Sequence, residues 1–200
     1  MEKNTKKKSP DAKLGRQDWI NVGLMVLAEG GVEAVRIEPL AKRMNMTKGS
    51  FYWHFKNRND LLDAILAEWV ELDTNGIIKQ VDQIDADPKT TLMYLLELAY
   101  ADNDFMPGLA DGRIENAIRA WAKTDQKVAE LIAQVDQKRL NYTKALFLKI
   151  GFSEAEALVR ARLAYYSLLG ELTIGVPTHQ AHRAAEIRMQ HAILTSDING

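Results

Sequence analysis

The sequence holds no cysteine, only five prolines, and no long run of apolar residues. Without thiols there is neither a disulfide framework nor a thiolate metal site, an absence that fits a reducing, cytoplasmic setting. The longest uninterrupted apolar stretch, Val22 to Ala28, is far shorter than the roughly 20 residues that span a bilayer. We therefore expect no membrane partner. The opening MEKNTKKKSP is basic but leads into no apolar segment, so a secretory signal is not expected. β-branched alternation bounded by turns is scarce too, which argues against sheet. No phosphate-cradling glycine loop and no Ser or Cys nucleophile motif is found.

What is present is helical periodicity along 200 residues, with 46% hydrophobic and 26% charged residues. The formal charge of -1 hides an asymmetry. Residues 1–56 carry eleven Lys and Arg against six Asp and Glu, a surplus of five positive charges, and the remainder is correspondingly acidic. Such a split suggests a basic module facing a polyanion, joined to an acidic body with another task. The lysine-rich tail over 1–13 also reads as a solubilising end.

The spacing predicts an all-α fold of about nine helices. A first helix over Arg16 to Glu29 is closed by Gly30-Gly31. A short one follows over Ile37 to Met44, with Pro39 in its first turn and Asn45 as breaker. Thr47 caps a third, to about His54 or Phe55. The next carries Leu61, Leu62, Ile65, Leu66 and Trp69 on one face, and ends near Asn75-Gly76 or continues to Ile84. Asp87-Pro88 and Asp125 begin two more, and Ser153 with Glu156 forms a capping box for a helix to about Gly175.

The tract TKGSFYWHFKNRNDLL, Thr47 to Leu62, interleaves aromatics with polar groups. Phe51 and Phe55 lie four apart and share an inner face. Lys48, Ser50, Tyr52, Trp53 and His54 are left outside, as a helix seated in a major groove requires. Two short helices joined by a tight turn, behind a supporting helix, predict a helix-turn-helix over about 37–55.

Leu40 to Leu62, LAKRMNMTKGSFYWHFKNRNDLL, resembles the DNA-binding signature of the TetR family of bacterial transcriptional repressors. Leu40-Ala41, Met46-Thr47, Gly49, Phe51-Tyr52, His54-Phe55, Arg58 and Leu61 carry the match. Asn45 departs from the family's turn glycine, and Arg36 from its usual Ser or Thr cap. Glu38 and Pro39 stand where DNA contacts often lie, and Glu38 repels phosphate. The resemblance implies a DNA-binding domain over 1–57, with Thr47, Lys48, Gly49, Ser50, Tyr52, Trp53, His54 and Arg58 meeting operator DNA. Arg58 would be a phosphate clamp. It also implies a ligand-binding and dimerisation domain over 58–200, a homodimer, and a small-molecule inducer; no cofactor is implied.

For the interface, the row Ala157, Ala161, Ala164, Leu168 and Leu172 is expected to admit a partner helix, since helix 153–175 is apolar nearly all round. For the inducer, the expected aromatic lining is Trp69, Tyr94, Tyr100, Phe105, Met106, Trp121 and Tyr166, suited to an apolar or weakly polar ligand. Two other classes remain open at this point. A helical scaffold binding only protein would leave the Thr47 to Arg58 tract unexplained. A metal-dependent helical-bundle enzyme would have to use His179 and His182 without a third ligand at an obvious spacing.

Overall fold

The computed structural model describes residues 15–101, 112–174 and 180–197, the side chains of 180 and 181 excepted. Phe105, Met106, His179 and the basic tail lie outside the described residues. Everything regular within them is helix. The first helix α1 spans Arg16–Gly30, followed by a 3-10 turn at Val32–Ala34. Then come α2 (Ile37–Arg43), α3 (Lys48–Phe51) and α4 (Arg58–Val70). A π turn at Glu71–Asn75 joins α4 without a break to α5 (Gly76–Asp82). The body continues with α6 (Pro88–Ala99), α7 (Arg113–Ala122), α8 (Gln126–Ile150), α9 (Glu154–Ile174) and α10 (Gln180–Thr195). With α4 and α5 counted as one rod, the described residues hold nine helical runs, as the periodicity predicts. None is long and apolar enough to cross a membrane.

The helix ends follow local chemistry. Gly31 closes α1 at φ 72°, donating to the Leu27 carbonyl. Asp87 accepts from the Lys89 and Thr90 amides ahead of α6, and Asp125 from Lys127 and Val128 ahead of α8. Ser153 and Glu156 form the reciprocal box, with Ser153 N–H donating to Glu156 and Glu156 N–H to Ser153 Oγ. At Asn75-Gly76 the chain neither stops nor runs on as plain α-helix, but widens. A Cβ at position 76 would stand 2.9 Å from the Glu71 carbonyl oxygen, so glycine suits this turn.

Two apolar clusters form the interior. The first runs from Trp19, Leu24, Phe51 and Phe55 through Leu61, Ile65 and Trp69 to Ile114, Ile118 and Val128. It crosses residue 57 without interruption, because α4 and α7 pack on α1. Gly23 makes this approach close, since a Cβ there would lie 2.5 Å from Ile65 Cδ1. The second cluster gathers Leu92, Leu96, Leu146, Phe147, Ala157, Ala161, Ala164, Ile187 and Leu194.

This corrects the expected subunit interface. Ala157, Ala161 and Ala164 are at most 4% exposed within one chain, so they cannot be what a second chain covers. Their small side chains let α9 lie close to its own neighbours. The faces left outside carry the larger residues instead. Val159 (55% exposed), Leu163 (58%) and Tyr166 (55%) lie on α9, with Met189 and Ile193 on α10. Leu168 and Leu172 are half-buried and line a cavity inside the chain.

Candidate functional site

The reading head is assembled on α2 and α3. Leu40 and Ala41 are buried under α3, and the turn between the helices is set by Asn45 at φ 52°. Asn tolerates that conformation better than most residues. Met46 N–H donates to the Ala41 carbonyl at 2.8 Å, which closes the turn. Thr47 caps α3 through Oγ1, accepting from the Ser50 amide at 3.2 Å. The Ser50 hydroxyl donates to the Thr47 carbonyl at 2.9 Å and keeps its lone pairs free to accept.

The α-helical part of α3 is only four residues long, shorter than expected. Its next turn is completed by amides of Trp53, His54 and Phe55 donating to Ser50 and Phe51 carbonyls. What holds so short a helix is aromatic packing. Phe51 is fully buried, edge-on to Trp19 at 5.3 Å and stacked with Phe55 at 5.4 Å. Arg16 lies 4.8 Å over the Phe55 ring. The inward reading of both phenylalanines therefore agrees with the packing. Tyr52 is half exposed and Trp53 is 87% exposed, which puts Trp53 on the outer face.

Around these, Lys48 and Gly49 are exposed and His54 is half-buried. Nothing in the packing demands glycine at 49, where a Cβ would meet only Thr47 Oγ1 at 3.6 Å. Lys48 Nζ holds the Glu38 carboxylate at 2.8 Å across the gap between α2 and α3. That hydrogen bond and charge hold Glu38 below, and Lys48 above, the ordinary values. The acidic residue that seemed out of place is thus a partner of the first lysine of α3.

Arg58 does not point where a phosphate clamp must. Its Nε donates to the Val35 carbonyl at 2.6 Å and its Nη2 to the Val32 carbonyl at 2.5 Å. It ties the start of α4 to the 3-10 turn, giving the Val35 carbonyl a donor and the Val32 carbonyl a second one beside the Val35 amide. The residues that recruit it lie more than twenty positions upstream, beyond any local pattern.

The second site is interior. A cavity of about 80 Å³ is walled by Ile77, Ile78, Leu95, Leu96, Leu168 and Leu172. Tyr100 and Tyr142 flank it, while Asp73, Thr74, Arg139, Thr143 and Tyr165 form its polar end. Of the expected lining residues that are described, only Tyr100 is among those that line it. Trp69 is fully buried core, with Arg139 5.4 Å from its ring. Trp121 is core too, its indole N–H donating to Asp125. Tyr94 is half-buried away from the cavity and Tyr166 is exposed.

Behind the polar end of the cavity, charged groups are joined in a network. Glu115, only 3% exposed, accepts from Arg119 at 2.7 Å and from Arg139 at 3.3 Å. Asp136 binds Arg119 through both oxygens, at 2.6 and 3.1 Å, and accepts from the Tyr165 hydroxyl at 2.6 Å. Asp73 Oδ2 accepts from Arg139 at 2.9 Å. Burial drives the Asp73 carboxyl up to about 7; Arg139 opposes the rise and the neighbouring Glu115 adds to it. For Asp136, burial acts upward, but hydrogen bonds from Arg119 and Tyr165 outweigh it and hold the carboxyl low. Sequence reasoning missed this network because its members are scattered over residues 73–165. The one local signal was the acid–base pair at 115 and 119, four apart on a helix. Among the described residues no three His, Cys, Asp or Glu are grouped to hold a metal ion.

Comparison with known proteins matches residues 20–65 to the family described as "Bacterial regulatory proteins, tetR family". The chain is 33% identical over 95 residues to the HTH-type transcriptional regulator AcrR of Shigella flexneri, covering 46% of this chain and 42% of AcrR. It is 35% identical over 57 residues to the class D tetracycline repressor protein of Escherichia coli, covering 28% and 26%. The matched part is therefore less than half of either relative's length. Among solved structures, a transcriptional regulator from Rhodococcus sp. Rha1 superposes with TM-score 0.69 at 17% identity, covering 91% of this chain and 94% of that one. AibR, crystallised with isovaleryl coenzyme A and operator DNA, gives 0.68 at 15%, covering 90% and 97%. These likenesses establish an all-α fold shared over about nine-tenths of the chain. The relatives so named are regulators, not enzymes.

Proposed function

We propose, from the membership of residues 20–65 in the tetR family of bacterial regulatory proteins, that this chain is a homodimeric DNA-binding repressor released from its operator by a small molecule. The observation that carries the reading is the outer face of α3. Thr47, Lys48, Gly49, Ser50, Tyr52, Trp53 and His54 stand on a helix anchored from behind by Phe51 and Phe55. Lys48 and Ser50 reach base edges, Tyr52 and His54 hold phosphates, and Gly49 lets the backbone come close. Residues 1–57 then form the reading unit and 58–200 the responding one, with a continuous core between them.

Dimerisation brings two such helices into successive major grooves, roughly 34–36 Å apart. The outward apolar residues of α9 and α10, Val159, Leu163 and Ile193 among them, are the surface a second copy covers. Response to a ligand runs through the rod that begins at Arg58 and reaches the cavity at Asp73 and Thr74. A ligand acts only by binding one arrangement of that rod better than another.

The test is a mobility-shift titration against DNA flanking the protein's own gene. Binding is expected to weaken on the order of 10³-fold between 50 and 200 mM salt. Absent or salt-indifferent binding overturns the reading. Leu163→Arg is expected to give a monomer in sedimentation that no longer shifts operator DNA; an unchanged dimer moves the interface elsewhere.

A further inference from the structure

We infer that the cavity between α5, α6, α8 and α9 takes a small apolar molecule carrying one cationic head, a protonated amine, seated on Asp73. The inference rests on the proposed ligand-released regulator and names the ligand class of its cavity.

The argument begins with the donors. Among the described residues that line the cavity Arg139 is the one cation, and an anion would have to bind there. Its guanidinium has five N–H groups, and the chain already engages each of them. Nε donates to Thr74 Oγ1 at 2.9 Å. Nη1 donates to Glu115 at 3.3 Å and to the Tyr165 hydroxyl at 3.4 Å. Nη2 donates to Asp73 Oδ2 at 2.9 Å and to the Asp73 carbonyl at 3.5 Å. An incoming carboxylate must displace Asp73 or Glu115 and leave that group buried without its partner, a costly exchange.

The acceptors tell the opposite story. Acting directly on Asp73 are Arg139 from α8 and Glu115 from α7; Arg119 of α7, Asp136 of α8 and Tyr165 of α9 join the network one step further out. Tyr142, also from α8, spends its hydroxyl on Asp82 at 2.7 Å. On Asp73's own segment, Glu71 accepts from Asn75. The joined network holds three carboxylates, Asp73, Glu115 and Asp136, against two guanidiniums. One negative charge is left over, and Asp73 is the carboxylate of the three that lines the cavity. A proton shared within the network supplies the missing positive charge, in keeping with an Asp73 carboxyl raised to about 7 by burial, against Arg139, with Glu115 adding to the rise. A ligand ammonium replaces that proton, and the aliphatic walls receive its tail.

The sign of the pH dependence separates this from the alternatives. An ammonium binds the ionised carboxylate, whose fraction rises about tenfold between pH 6 and pH 8 for a group near 7. An alkylamine stays protonated throughout, as lysine does. An anion shows the reverse trend, and a neutral alcohol no rise.

The experiment measures binding of n-butylamine, 1-butanol and butyrate to the full chain at pH 6 and pH 8, by ligand-observed NMR and thermal shift. Butylamine is expected to bind best, with affinity about tenfold higher at pH 8, and Asp73→Asn is expected to abolish both the preference and the rise. Should Asp73→Asn not fold, the pH trend in the wild-type chain decides alone. Tighter binding of butyrate overturns the inference, as does amine binding indifferent to pH. The same preparation is titrated with operator DNA. DNA binding without any amine site sinks the ligand class and leaves the regulator standing. An amine site on a chain that ignores DNA keeps the cation site and sinks the regulator.

Discussion

The two ends of this molecule are built inside out relative to each other. Around α1 to α3 the interior is hydrocarbon and aromatic ring, and the charges stand outside. In the body, five charged residues and a tyrosine hydroxyl are knitted together between the helices, while valine, leucine and isoleucine of α9 and α10 face outward. An apolar interior with a polar exterior is complete by itself and waits only for a polyanion. A charge network set beside an apolar core, under an apolar exterior, is unfinished on both sides. It implies something to balance the charge within and something to cover the surface without.

That contrast is open to direct attack. The largest effects are expected where each interior is emptied. Phe51→Ala removes the ring that anchors α3, and a loss of about 3–5 kcal/mol is expected in urea denaturation, with DNA binding abolished. Glu115→Ala is expected to cost a similar ~3–5 kcal/mol for the opposite reason, because Arg119 and Arg139 lose their shared buried partner. If Glu115→Ala were silent, the body's interior would be an ordinary core and the contrast would fall. Next comes Arg58→Ala, which removes the guanidinium from the Val35 carbonyl and leaves Val32 only its bond from the Val35 amide, at about 1–3 kcal/mol. Its effect should appear in melting temperature more than in operator affinity at low temperature. The converse would return Arg58 to the DNA face. The smallest effect on stability is expected for Lys48→Ala, which should leave the melting curve in place and change operator preference alone.

How much of this could be read from the chain depended on sequence distance. The four-residue spacing of Phe51 and Phe55, the left-handed Asn45 and the caps at Thr47, Asp87, Asp125 and Ser153 are local events, and they stand as the spacing predicts. The expectation about α9 went astray for a reason of the same kind. A helix apolar on all sides gives periodicity nothing to distinguish, so the row Ala157, Ala161, Ala164, Leu168 and Leu172 is expected at the partner only because its alanines admit a close helix. Packing within one chain reversed the choice, since Ala157 and Ala161 let helices close up and Leu163 did not. The cavity lining was least legible. Aromatic type said little about position, and Arg139 meets Asp73 and Thr74 from more than sixty residues away.

The π turn at Glu71–Asn75 gives the rod a property that a straight helix lacks. A π turn stores one residue more than an α turn in the same arc, so α4 and α5 are out of phase with each other. Absorbing that spare residue into ordinary α-helix would turn everything beyond it by roughly 100° and lengthen the rod by about 1.5 Å. Asp73 and Thr74 belong to the stored loop itself, and Gly76, without a side chain to foul the Glu71 carbonyl, keeps it wound. The rod is therefore a screw with one thread held in reserve, and the cavity grips it at that thread.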